Sequence, residues 1–209
     1  MMKMRKTLAV FLLLLGYFLA ILTVYFLGYE FSIKPFALGI VGIIIALIIQ
    51  FPLQLLVIFL RDKLNLGTLL VSIGLGFSAG FSQELVKYLF LHGKEVSTGI
   101  MFGLGIGFFE VLYAIPVVFY EEQLPEHMKK LVEKNSWLGA WERYFGTLFH
   151  IATSAILTYA GLGVLVLFML LHGLVDSLAE MHNLGESKKA LFLGEVLLSI
   201  LSVLLILSL

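Results

Sequence analysis

The chain has no cysteine, which excludes disulfides and thiolate chemistry and says nothing about compartment. Charge is scarce as well: 13% of the 209 residues are Asp, Glu, Lys or Arg, against 60% hydrophobic, with a mean hydropathy of +1.04. That balance belongs to a polytopic membrane protein and not to a soluble domain. Basic and acidic residues cancel to a net charge of zero, so bulk electrostatics give no reason to expect a nucleic-acid partner. Sequence repeats, low-complexity tracts, a GxGxxG phosphate loop and an HExxH pair are missing too. Gly103-x-Gly105-x-Gly107 lies inside an apolar span, where packing is its plain role.

What is present is a succession of apolar runs, each near the roughly 20 residues that cross a bilayer. They fall at about 7–28, 36–60, 66–91, 97–120, 139–160, 162–181 and 190–209. The expectation is an all-α, polytopic membrane protein of about seven transmembrane helices, forming a single domain over 1–209 with no room for a separate soluble part. The first run follows Lys3, Arg5 and Lys6, exceeds a signal-peptide core and lacks a small-x-small cleavage site, so it reads as a retained first helix. With the N-terminus in the cytoplasm, the inner loops hold Lys3, Arg5, Lys6, Arg61, Lys63, Lys129, Lys130, Lys134, Lys188 and Lys189, and the outer loops only Lys34 and Lys94. The positive-inside rule then places the chain in the cell membrane, N-terminus cytoplasmic and C-terminus extracytoplasmic.

Spans 1, 2 and 7 are nearly free of charge and read as lipid-facing packing helices, with Gln50 and Gln54 beside a kink at Pro52. Span 3 carries Gly76 and Gly80, and span 4 carries Gly99, Gly103 and Gly107, at the four-residue interval that lets helix backbones approach closely. The longest loop, about 121–138, repeats Leu124, Met128, Leu131 and Val132 at helical spacing before Trp137 and Trp141. It reads as a short interfacial helix with aromatic anchors, a substrate gate being the sharper alternative.

Spans 3 to 6 differ from the rest because each carries ionisable residues: Glu84 with Lys87, Glu110, His150, and His172 with Asp176. Such groups are costly in hydrocarbon and normally face a bundle interior with work to do there. His172 and Asp176 are one helical turn apart, so the carboxylate can orient the imidazole; Glu84 and Lys87 can pair in the same way, and Glu110 and Tyr113 occupy adjacent turns. With a rise of about 1.5 Å per residue, Glu84, Glu110, His150, His172 and Asp176 all fall roughly 10–21 Å from the outer boundary, compatible with one layer near the midplane. The plainer readings are a structural ion pair for Glu84 and Lys87, a satisfied core histidine for His150, and boundary anchoring for Glu142 and Arg143.

In chain order, QELVK (Gln83 to Lys87) is similar to a Glu-Glu-x-x-Lys motif. GLGIGFFEVLY (Gly103 to Tyr113) is similar to a glycine-rich motif with Glu and Tyr three apart, ERYFGTLFH (Glu142 to His150) to an Arg-then-His helix, and HGLVD (His172 to Asp176) to a His-x-x-x-Asp motif. Together they resemble the PrsW-type and YhfC-type membrane proteins, related to the CAAX-processing and bacteriocin-processing intramembrane proteases. The resemblance implies a glutamic-type intramembrane endopeptidase with its catalytic core over about 66–182, acting on membrane-anchored or transmembrane protein or peptide substrates in the bilayer. By position, it makes Glu84 and Glu110 the acidic pair, His150 the partner that holds the water, and His172 with Asp176 the oxyanion-side group. Gln83, Lys87, Tyr113 and Arg143 become supporting residues. The expected mechanism uses no cofactor; zinc held among Glu84, Glu110, His150 and His172 is the alternative, since these are zinc-ligand types. Gln83 stands where the family motif has its first Glu, and an amide cannot act as a base. That departure keeps a catalytically inactive, protease-like scaffold in view, and midplane carboxylates with glycine-interrupted helices keep a proton-coupled secondary transporter in view.

Overall fold

The computed structural model describes residues 2–120, 136–185 and 187–209. Among them are seven helices: α1 (Met2–Phe26), α2 (Ile33–Leu64), α3 (Thr68–Leu91), α4 (Val96–Phe119), α5 (Ser136–Leu157), α6 (Leu162–Gly185) and α7 (Lys188–Leu207). The protein is all-α, and six of these helices are long and apolar enough to cross a membrane, as in a multi-pass membrane protein. The exception is α5. Its 22 residues would also reach across a bilayer, at about 1.5 Å each. Its lower hydropathy comes from Glu142, Arg143, Thr147, His150, Thr153 and Ser154, several of which it turns into the interior.

Two tight pairs make the centre, α3 against α6 and α4 against α5, and they meet where α3 touches α5. Around them α1 covers α4 and α5, α2 covers α3 and α4, and α7 covers α5 and α6. The outer helices therefore carry the lipid-facing residues, among them Phe18, Ile48, Phe51, Phe192 and Leu204, all exposed. This agrees with their apolar, nearly charge-free sequences, except that α7 carries a partly buried Glu195. The expected kink at Pro52 does not interrupt α2, which is helical throughout and ends at Asn65 in the left-handed conformation that Asn tolerates.

The glycine spacing explains the tight pairs. A Cβ on Gly76 or Gly80 would collide with the α6 backbone at Ser177 or Gly173, and one on Gly99 or Gly103 with the α5 backbone at Ser154 or His150. Only hydrogen fits at those crossings, so the helices that carry the ionisable residues are held backbone against backbone. The order of these contacts, with rising numbers on one helix against falling numbers on the other, makes each pair antiparallel. The interfacial helix and gate expected near 121–138 fall almost wholly on residues 121–135, outside the described residues. Trp141, one of the expected anchors, lies in α5 and donates to Ser199 Oγ of α7 at 2.9 Å.

Candidate active site

The close pairing of α3 with α6 and of α4 with α5 brings the polar residues of all four helices into one hydrogen-bonded set. At its root is the Glu84–Lys87 pair, one turn apart on α3, with Nζ 2.6 Å from Oε1 and both side chains wholly buried. Lys87 Nζ also donates to Thr153 Oγ1 at 2.9 Å and lies 3.0 Å from His150 Nδ1, both on α5. Glu84 Oε1 in turn lies 2.7 Å from His172 Nδ1 on α6. Thus each imidazole has its Nδ1 edge fastened to one member of the buried pair.

The opposite edges face carboxylates. His150 Nε2 is 3.0 Å from Glu110 Oε1, and His172 Nε2 is 3.5 Å from Asp176 Oδ2, too long for a firm direct bond. The two rings lie edge to face with centroids 5.4 Å apart, and Phe149 packs edge-on against His172 at 5.2 Å. Arg143 extends the set, holding Glu110 Oε2 at 3.2 Å and pairing with Glu142. Burial grades along it. Glu84 and Lys87 have 0% side-chain exposure and the histidines only 4% and 6%, whereas Glu110 has 23% and Asp176 32%. Glu110 and Asp176 lie past the midpoints of α4 and α6, and Arg143 in the first half of antiparallel α5. The more exposed carboxylates therefore lie toward the end of the bundle where α4 finishes and α5 begins.

The candidate residues divide accordingly. Glu84, Glu110, Lys87, Arg143, His150, His172 and Asp176 share the network. Glu84, however, sits behind both histidines and is sealed from water, because α3 packs against α6 at Gly80 directly beneath it. Arg143 is not simply a boundary anchor, since its guanidinium turns inward to Glu110. Tyr113 does not join Glu110: it is 69% exposed on the outer face of α4. Gln83 is buried in a crevice that Gly42, Ile43, Ala46, Phe102 and Ile106 of α2 and α4 line together with Val86 and Lys87 of its own helix, and its Oε1 has no partner there. Glu84 and Gln83, neighbours in sequence, are about 100° apart around α3 and so face different helices.

Sequence reasoning missed Thr153. Its hydroxyl donates to Phe149 O at 2.9 Å, which turns a lone pair toward Lys87. Its spacing of three from His150 was the available signal. The zinc alternative fits poorly. Among the described residues no three or more His, Asp or Glu are arranged to hold a metal, and the Lys87 ammonium sits between Glu84 and His150, where its charge would repel a divalent cation.

The chain matches no protein-family description, no curated protein and no solved structure. The family resemblance accordingly rests on the four short motifs alone.

Proposed function

We propose that this protein is an intramembrane peptidase, hydrolysing peptide bonds of membrane-spanning or membrane-anchored polypeptides without a metal. The observation that carries the reading is the pair of imidazoles, each rooted on the buried Glu84–Lys87 pair and each turning its Nε2 edge to a partly exposed carboxylate. Peptide hydrolysis needs a group to take a proton from water, donors at the developing oxyanion, and a proton for the leaving amine. Asp176 and His172 can supply the first: the water proton passes to this pair as its oxygen bonds to the carbonyl carbon. Arg143 supplies positive charge and N–H donors for the oxyanion, and His150 holds in place the Glu110 carboxylate with which Arg143 pairs. The proton then moves to the amide nitrogen as the C–N bond breaks, leaving a carboxylic acid and an amine. Apolar helices around the site limit bulk water, which strengthens each of these electrostatic interactions.

The Gln83 amide oxygen bonds no member of this set, so a Gln at the family's Glu position is compatible with activity. With the N-terminus cytoplasmic, as the loop charges indicate, the more exposed carboxylates lie toward the cytoplasmic side. The test is reconstitution in liposomes with candidate single-span substrates and mass-spectrometric detection of cleavage. Folded protein that cuts none of them in any lipid composition defeats the proposal, and proton or solute flux in the same vesicles would favour a transporter.

A further inference from the structure

We propose that Lys87 and Glu84 act as positioning residues that impose opposite proton placements on the two histidines. His172 is thereby left as the imidazole that exchanges a proton, and His150 is locked as a fixed donor.

An ammonium carries three N–H donors and no acceptor. Lys87 Nζ has three neighbours within hydrogen-bond distance: Glu84 Oε1 at 2.6 Å, Thr153 Oγ1 at 2.9 Å and His150 Nδ1 at 3.0 Å. Thr153 spends its own proton on Phe149 O, so its oxygen accepts. His150 Nδ1 must therefore accept as well, and a bare Nδ1 in an imidazole requires a protonated Nε2. That Nε2–H donates to Glu110 Oε1 at 3.0 Å. A proton on Nδ1 would confront the ammonium directly, so His150 has no position at which to gain one.

On the other ring the partner has the reverse character. An ionised carboxylate only accepts, so His172 Nδ1, 2.7 Å from Glu84 Oε1, must carry a proton. Its remaining nitrogen, Nε2, faces Asp176 at 3.5 Å on the more open side. His172 can thus alternate between an Nδ1–H neutral ring and an imidazolium without disturbing its bond to Glu84. One ion pair, contributing an ammonium to one ring and a carboxylate to the other, distinguishes the two histidines. Second partners fixing the tautomer of a working imidazole are a general device; here a single turn of α3 does it for two rings at once.

The use of donor and acceptor in hydrolysis rests on the proposed peptidase reading, but the proton placement does not, and it is read without substrate. In detergent-solubilised full-length protein labelled with ¹⁵N-histidine at pH 7.5, long-range ¹H–¹⁵N spectra report which ring nitrogen is protonated, with single His→Gln variants for assignment. The expected result is His150 protonated at Nε2 only and His172 protonated at Nδ1. Lys87→Met should admit the Nδ1–H form of His150 while leaving Nδ1 of His172 protonated, and Lys87→Arg, which keeps a donor, should restore the native His150 signal. A protonated Nδ1 on wild-type His150, a bare Nδ1 on His172, or a Lys87→Met spectrum with His150 unchanged would each overturn the inference. If Lys87→Met does not fold, the wild-type and Lys87→Arg spectra decide. Correct proton placement in a protein that cleaves nothing would reject the peptidase and spare the device.

Discussion

Gly80→Ala tests whether backbone contact between α3 and α6 sets the geometry of the site. A Cβ at Gly80 would lie 2.8 Å from Gly173 Cα and 2.7 Å from Met169 O. Carbon atoms rest at about 3.5–4.0 Å, so α6 must retreat by about 1 Å. Neither contact is a flexible side-chain end, and the strain cannot be absorbed by a rotamer change. His172, adjacent to Gly173, moves with the helix. Its 2.7 Å bond to Glu84 would stretch to about 3.7 Å, beyond hydrogen-bonding range. Overpacking of this kind costs about 1–3 kcal/mol. For a chain of this size that corresponds to a loss of roughly 2–12 °C in Tm. The matched control is Gly146→Ala in α5, where a Cβ meets nothing within 4 Å and helix propensity alone would add up to about 1 kcal/mol. Thermal melts of both variants in the same detergent, with the ¹⁵N signal of His172 as a local probe, provide the assay. If Gly80→Ala melts with or above the wild type and the His172 signal is unmoved, the close-packing account of the site is wrong.

Further outcomes are expected of the site and of the topology. Glu110→Gln and His150→Ala should each lower cleavage by about 10²-fold or more with the fold retained, checked by turnover beside a thermal melt; near-normal turnover in both would remove them from the mechanism. Lys87→Met should destabilise by about 3–5 kcal/mol, because it strands the buried Glu84 carboxylate, and Glu84→Leu in the same chain should recover much of that loss. Denaturation showing additive losses would deny the pairing. Gln83→Glu should lower Tm without adding activity, since it buries a second carboxylate beside Lys87, whose three donors are already engaged; a gain of cleavage would instead mark the natural chain as a disabled protease. Reporter fusions after Asn65 and after Leu209 should report opposite sides of the membrane, and a shared side would contradict the alternating seven-helix topology.

The class of protein, the helices and the residues to watch were legible in composition and spacing. Hydrocarbon demands long apolar helices whose backbone groups are satisfied internally, so the spans were legible from composition, and glycines at four-residue intervals on α3 and α4 announced close crossings that the structure contains. Glu84, Lys87, His150, His172 and Asp176 stood out because ionisable groups in hydrocarbon are expensive. Which of them touch, and through which atoms, depends on how the helices pack. Helical spacing fixes neighbours along one helix, and Glu84–Lys87 and His172–Asp176 were readable on that basis. It carries no information about rotation between helices. Tyr113 therefore passed for a partner of Glu110 although it faces outward, and Gln83 passed for a site residue although its amide oxygen bonds no member of the set. Arg143 and Thr153 entered the network by the same rotational choice. The graded burial, with Glu84 and Lys87 sealed and Glu110 and Asp176 partly exposed, likewise depends on how two antiparallel helix pairs are laid against each other, a long-range arrangement that no local spacing encodes.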